Sequence, residues 1–341
     1  MRDPRSNAFA PGAAPMLIGT LLSGGIITTY GCTSACGHCL YNCSPRRSKA
    51  YIGQQELLGC LVTLRDLGCT AVHIGGGEPF LNRSGLKMVV QLAVACGIAI
   101  DYVETNGVWY RDHAQAVRTL EELRSLGLTR LLLSISPLHN AFVPFRKTKG
   151  VLAACREAGL DVLPWTMDFF SDCDRLDDSR PHDMDTYCEL FGEDYLCRIP
   201  SRYWIHPGGR ALRTFQACTR RKPAADIIHE HARGCDELVR SDHFHLDLYG
   251  NYIPGLCTGL AIRRQDLGQA LDPDLYPLLT TLHARGIGGL FELATSDFGF
   301  LPTPRGYASK CDLCADIRRF LVRTRNLRAI ELQPVEFYDP D

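Results

Sequence analysis

The stretch Gly31-Cys32-Thr33-Ser34-Ala35-Cys36-Gly37-His38-Cys39 sets three thiols at the spacing C-x3-C-x2-C. Soft thiolates select iron–sulfur clusters or zinc, and short intervening loops let them converge on one centre. Three ligands on a four-iron cube leave one iron without a protein ligand, the open position that separates catalytic from structural metal sites. A zinc knuckle that also draws in Cys43 is the other reading of the same residues. A second set comprises Cys235, Cys257, Cys311 and Cys314. Cys257 lies just past an apparent hairpin, and Cys311-Asp312-Leu313-Cys314 opens a helix that continues with Ile317, Phe320 and Leu321. Four thiols in this order can surround one centre with no vacancy. A structural zinc, or buried thiols without a metal, are the alternatives.

The elements that position these residues follow a repeated grammar between residues 25 and 170: an aliphatic run, a loop, an amphipathic helix and a glycine. The runs Ile26 to Tyr30, Ala71 to Ile74, Ile98 to Glu104, Leu131 to Ile135 and Val162 to Met167 read as strands. Gly68, Gly97, Gly127 and Gly159 stand where a helix ends in a left-handed residue, spaced by about thirty residues, the length of one βα unit. Such units give parallel strands whose C-terminal ends gather functional groups. The first cysteine set and the motifs below all fall at those ends. Beyond residue 205 the grammar changes, and Phe244 to Leu256 reads as a hairpin with Gly250-Asn251 at or near its turn.

The cysteine spacing, directly after the first strand, resembles the radical S-adenosylmethionine (SAM) superfamily. The resemblance implies an α/β fold: a partial (β/α)6 TIM-like barrel of the radical SAM type with a small C-terminal α+β auxiliary-cluster module. It implies a [4Fe-4S] cluster on Cys32, Cys36 and Cys39 as the catalytic centre, with SAM on its open iron. Gly75-Gly76-Gly77-Glu78-Pro79 looks like the family's GGEP motif, which would place Gly76, Gly77 and Glu78 around the SAM ammonium. His38 occupies the position of an aromatic residue near the adenine. Glu104-Thr105-Asn106-Gly107 resembles the family's TNG segment, and Ser134-Ile135-Ser136 resembles a strand exit whose hydroxyls bond the SAM ribose or carboxylate. The bland reading of those serines is a local cap. Asp168 and Arg210, the latter in a stretch resembling GRA, are lesser candidates, and His73 reads as a core histidine.

Cys235, Cys257, Cys311 and Cys314 resemble the ligands of the twitch module, the one-cluster relative of the SPASM extension, and imply a second [4Fe-4S] cluster. Two departures stand out: the stretch from Gly250 to Cys257 is longer than the usual spacing, and the further cysteines of the two-cluster form are absent. The implied organisation is an N-terminal extension over 1–23, a radical SAM core over 24–211, and the auxiliary module with a C-terminal helix over 212–341. The implied chemistry is SAM cleavage, hydrogen abstraction and a net two-electron oxidation. Alternatives are a peptide or natural-product maturase whose auxiliary cluster binds substrate and, from another class, a non-catalytic zinc-stabilised binding protein. Implied partners are a small-molecule or peptide substrate and an external electron donor such as flavodoxin or ferredoxin.

Bulk properties agree. With 37 Lys plus Arg against 38 Asp plus Glu, no positive excess draws in nucleic acid or an anionic membrane. The sixteen cysteines would suggest disulfides in a secreted chain. The apolar stretch around Met16 to Leu22 is short and lacks a cleavage pattern, so a reducing cytoplasm, where cysteines bind metal, is the expected location.

Overall fold

The computed structural model describes residues 14–165 and 167–339. Residues 1–13 of the expected N-terminal extension, and Thr166 within the fifth expected strand, lie outside the described residues. Five strands alternate with helices: β1 (Gly24–Ile27), α1 (Gln54–Asp66), β2 (Ala71–Gly75), α2 (Arg83–Ala95), β3 (Ala99–Thr105), α3 (His113–Ser125), β4 (Arg130–Ser134), α4 (Pro137–Asn140), α5 (Phe145–Ala158) and β5 (Asp161–Trp165). Gly68, Gly97, Gly127 and Gly159 all have positive φ, from 66° to 113°, as helix termination requires.

With β6 (Phe244–Asp247), β7 (Asn251–Ile253) and β8 (Ile262–Arg263), these strands form one sheet in the order β5-β4-β3-β2-β1-β6-β7-β8. The sixth parallel strand, β6, lies beside β1 at the opposite end from β5, pairing Gly24 with Phe244 and Ile27 with Asp247. A sixth sequential unit would have sat beside β5. Residues 168–243 contain helices and turns but no strand, so the chain crosses to the other side of β1. The hairpin of β6 and β7, followed by β8, therefore extends the same sheet as the core. Gly250, with φ of 76°, sits in the hairpin turn, which Asp247 closes by accepting from the backbone of Tyr249 and Asn251.

Alternation along the strands gives the sheet two unlike faces. Val72, Ile74, Val103, Leu131, Leu133, Phe244 and Leu246 enter the hydrophobic core with Leu57, Leu61, Leu86 and Val90 of α1 and α2. The intervening residues His73, Tyr102, Glu104, Leu132, Ser134 and His245 line a cavity of about 930 Å³. His73, expected as a core residue, is buried but belongs to this cavity face.

One pair departs from the expectation that the cysteines avoid disulfides: Cys197 and Cys218 are bonded, with Cα atoms 5.0 Å apart. The helix Tyr195–Arg202 and the turn at Gln216–Cys218 bring them within bridging range. No helix among the described residues is long and apolar enough to cross a membrane.

Candidate metal and cofactor site

The loop bearing Cys32, Cys36 and Cys39 leaves β1 and is fastened at both ends. Cys32 N donates to Ser44 O, and Cys39 N donates to Cys36 O. The exit of β2 packs directly onto it: Gly77 N donates to Thr29 O at 2.7 Å and Glu78 N to Gly31 O at 3.0 Å. A Cβ on Gly77 would lie 1.9 Å from Gly31 O, so the glycine is demanded by this backbone approach. Gly76 and Gly77 also line the cavity.

The structure gives Glu78 protein partners rather than an open face. Its side chain is fully buried, and its carboxylate accepts from Phe80 N at 3.1 Å, Thr105 Oγ1 at 2.9 Å and Asn106 N at 2.8 Å. Burial pushes its pKa up to about 7. Asn106 turns its amide the other way: Nδ2 reaches Thr33 Oγ1 and Ser34 Oγ, both at 3.3 Å, and Cys32 Sγ at 3.7 Å. The exits of β1, β2 and β3 are thus interlocked through Glu78 and Asn106. This joins the cysteine, GGEP and TNG segments into one unit.

Arg210 clamps the loop from outside the βα repeat. It is buried; Nε donates to Cys36 O at 2.9 Å, a terminal nitrogen donates to Cys43 O, and its backbone N donates to Cys39 O. Gly209 allows the approach, since a Cβ there would lie 2.3 Å from Cys39 O. Burial raises the Cys32 thiol to about 12, and the Cys36 thiol lies well above its usual range for the same reason, with Arg210 opposing both shifts. Cys39 is held below its usual range, chiefly by a hydrogen bond with Cys43.

The remaining expected residues divide. His38 and Ser134 line the cavity. The buried Nδ1 of His38 has no partner among the described residues, and burial lowers its ring to about 4, so it faces the cavity as a neutral imidazole. Ser136 is a cap, bonding His139 Nδ1 at 2.8 Å, and is absent from the cavity wall. Asp168 is exposed, and its backbone carbonyl accepts from Arg202.

Cys235, Cys257, Cys311 and Cys314 line one cavity of about 380 Å³. Ser309 caps the helix Lys310–Arg323, fixing the last two in its first turns. Arg318, which the sequence reading missed, is buried beside them and donates to Cys314 O at 3.3 Å, Thr258 O at 2.8 Å and Tyr338 Oη at 3.0 Å. Burial and the neighbouring Cys314 thiol raise Cys311 to about 11. Cys235, Cys257 and Cys311 border the larger cavity as well, which places both thiol sets on a shared space.

Among the described residues, no three His, Cys, Asp or Glu side chains form a group that could hold a metal ion. The donor chemistry fits iron–sulfur clusters: each thiol set lines a cavity with a buried arginine beside it, and a permanent cation offsets thiolate charge. The orphaned His38 nitrogen fits a polar cofactor next to the first set.

The cavity has a polar wall that no motif signalled. Tyr41 Oη bonds His245 Nδ1 at 2.8 Å, and His245 Nε2 lies 3.0 Å from His73 Nε2. Gly25 makes room for the His73 ring, which a Cβ would approach within 2.2 Å. The period-two alternation of β2, β3 and β6 was the available signal: it sets His73, Glu104 and His245 opposite the aliphatic face.

Residues 26–177 match the family model described as Radical SAM superfamily. A GTP 3',8-cyclase of Rhodopirellula baltica is 30% identical over 147 residues, 38% of this chain and 39% of that protein. A GTP 3',8-cyclase of Psychromonas ingrahamii is 33% identical over 86 residues, 25% of each. The matched part of this chain thus spans well under half the length of either relative. Among solved structures, BtrN in complex with AdoMet and 2-DOIA gives a TM-score of 0.42 at 14% identity, covering 80% of this chain and 91% of that one. Native anSMEcpe with bound AdoMet and Cp18Cys peptide gives 0.32 at 21% identity, covering 41% of each.

Proposed function

Proceeding from a chain that carries a radical SAM superfamily domain over residues 26–177, we propose that the protein is a radical SAM oxidoreductase with two [4Fe-4S] clusters. Cys32, Cys36 and Cys39 hold the SAM-binding cluster. Cys235, Cys257, Cys311 and Cys314 hold the auxiliary one. The observation that carries this reading is that members of both thiol sets line the same 930 Å³ cavity. When bound, the SAM-ligated cluster supplies the electron for SAM cleavage, and the auxiliary cluster supplies an acceptor for the electron the substrate gives up.

The chain's own residues supply position and electrostatics. Glu78 and Asn106 hold the first cysteine loop against β2 and β3. Arg210 and Arg318 offset the charge of the two thiolate sets. The His38 ring and Ser134, both on the cavity wall, are placed to contact SAM. The row Tyr41, His245 and His73 lines the same cavity with neutral polar groups, which suit a hydroxylated substrate. An external flavodoxin or ferredoxin is the proposed electron source. GTP is disfavoured as substrate: a triphosphate calls for several cations, while this wall offers Arg210, bonded to loop carbonyls, and Arg240, paired with Asp242.

The test is anaerobic reconstitution followed by reduction in the presence of SAM, with 5′-deoxyadenosine measured by chromatography. The wild type should produce it. Simultaneous Cys32→Ala, Cys36→Ala and Cys39→Ala should abolish it, and continued production would end the assignment.

A further inference from the structure

We infer that Glu104, set beside the His73 and His245 pair, is a recognition point for a protonated amine, and that the substrate is a polar molecule carrying an ammonium group. The inference rests on the cavity being the substrate site, as proposed above.

Glu104 stands on the cavity face of β3, and its carboxylate lies over the next strand because Gly75 leaves room: a Cβ there would sit 2.6 Å from Oε2. Across the sheet, His73 Nε2 is 3.9 Å from Oε1, too far for a hydrogen bond. That nitrogen is already engaged with His245 Nε2 at 3.0 Å. His73 cannot serve as the counter-cation either, because burial, then His243, lowers its ring to about 3. The cations of the wall are committed elsewhere. Arg210 donates to the carbonyls of Cys36 and Cys43, and Arg240 pairs with Asp242. Lys310, on the neighbouring cavity, pairs with Glu237.

The Glu104 side chain keeps 29% of its surface exposed on the cavity wall, and even a partly desolvated carboxylate is unfavourable without a cation. Burial, then Cys39 and Glu78, accordingly hold Glu104 near 7. A ligand ammonium would reverse that shift and gain a charge-assisted hydrogen bond. The surroundings hold the recognition point still: Tyr102 stacks on His73 with ring centres 5.2 Å apart, and Tyr41 anchors His245. Neutral imidazoles and phenols next to the carboxylate suit hydroxyl groups neighbouring the amine.

The experiment measures binding to the anaerobically reconstituted, full-length protein with SAM, by calorimetry and saturation-transfer NMR. The probes are aminocyclohexanol, its N-acetyl derivative, cyclohexanediol, and a lysine amide capped at its α-nitrogen. Aminocyclohexanol or the capped lysine should bind about tenfold more tightly than the neutral probes. The tighter of the two identifies whether the ammonium arrives on a small amino alcohol or on a peptide side chain, and either supports the inference. Glu104→Gln should abolish the preference and Glu104→Asp should retain part of it, with iron content and circular dichroism checking the fold of each. Equal affinity for amine and neutral probes, no binding of either amine, or an unchanged preference in a folded Glu104→Gln protein would overturn it. Amine selectivity in a protein that does not cleave SAM would overturn the functional reading and leave the recognition point standing. SAM cleavage without amine selectivity would do the reverse.

Discussion

The Glu78 carboxylate accepts the backbone N–H of Asn106 at 2.8 Å, and this bond welds the exits of β2 and β3 together. Because Asn106 also reaches Thr33, Ser34 and Cys32, the cysteine loop is held by a chain of contacts through two strands. This geometry suits Glu78 to positioning that loop.

Glu78→Ala would strand three buried donors, each costing about 1–3 kcal/mol when left unpaired. The variant should lose about 3 kcal/mol or more of stability and load less iron at the first site. Urea unfolding and iron analysis check this, and a stable variant with weakened SAM binding alone would favour direct ligand contact.

Gly77→Ala should be more disruptive than its size suggests. The added methyl would meet Gly31 O at 1.9 Å, between two backbones that cannot both keep their places. The expected loss exceeds about 3 kcal/mol, with Gly97→Ala as the comparison because open space surrounds that site and only its φ of 74° is strained. Thermal unfolding of both variants measures the difference.

Arg210→Met keeps bulk but removes the donor to Cys36 O and Cys43 O and the charge beside the thiols. The first cluster should become labile. Under chelator challenge, the variant should bleach about tenfold faster than the wild type, and equal rates would relegate Arg210 to packing.

Changing both Cys311 and Cys314 to Ala separates the two metal sites. Wild type should hold about eight irons per chain and the double variant about four, since each cubane cluster contributes four. SAM cleavage should persist while substrate turnover fails. Four irons with stoichiometric zinc in the wild type would make the C-terminal site structural.

Glu331 supplies a pH test away from both thiol sets. It is fully buried, accepts from Leu278 N and Leu279 N, and is raised by burial from 4.5 to about 7. A raised carboxyl binds its proton more tightly in the native state than in the unfolded chain. Its contribution to stability is therefore greatest below pH 4.5 and declines as pH rises through about 7. Relative to Glu331→Gln, the wild type should lose up to about 3 kcal/mol between pH 4 and pH 8. Denaturant titrations of both proteins across that range measure it.

Local chemistry made the first cysteine set legible in the sequence, because Cys32, Cys36 and Cys39 sit within one short loop and need no distant partner to be brought near each other. The helix-ending glycines were legible for the same reason: Gly68 and Gly159 answer to backbone sterics alone. Strand alternation marked which residues share a face, without saying which face would meet a core and which a cavity. Only the tertiary structure decided the rest. Arg210 meets Cys36 across 174 residues and His73 meets His245 across 172, and no periodicity encodes such pairings. The turning of Glu78 toward Asn106 depends on where β3 ends relative to β2. The joining of β6 to β1, which draws the second cysteine set to the shared cavity, depends on a crossover through residues 168–243 that carry no strand pattern. Spacing fixes what a short segment can chelate, whereas packing fixes which distant side chains a buried polar atom finds to satisfy it.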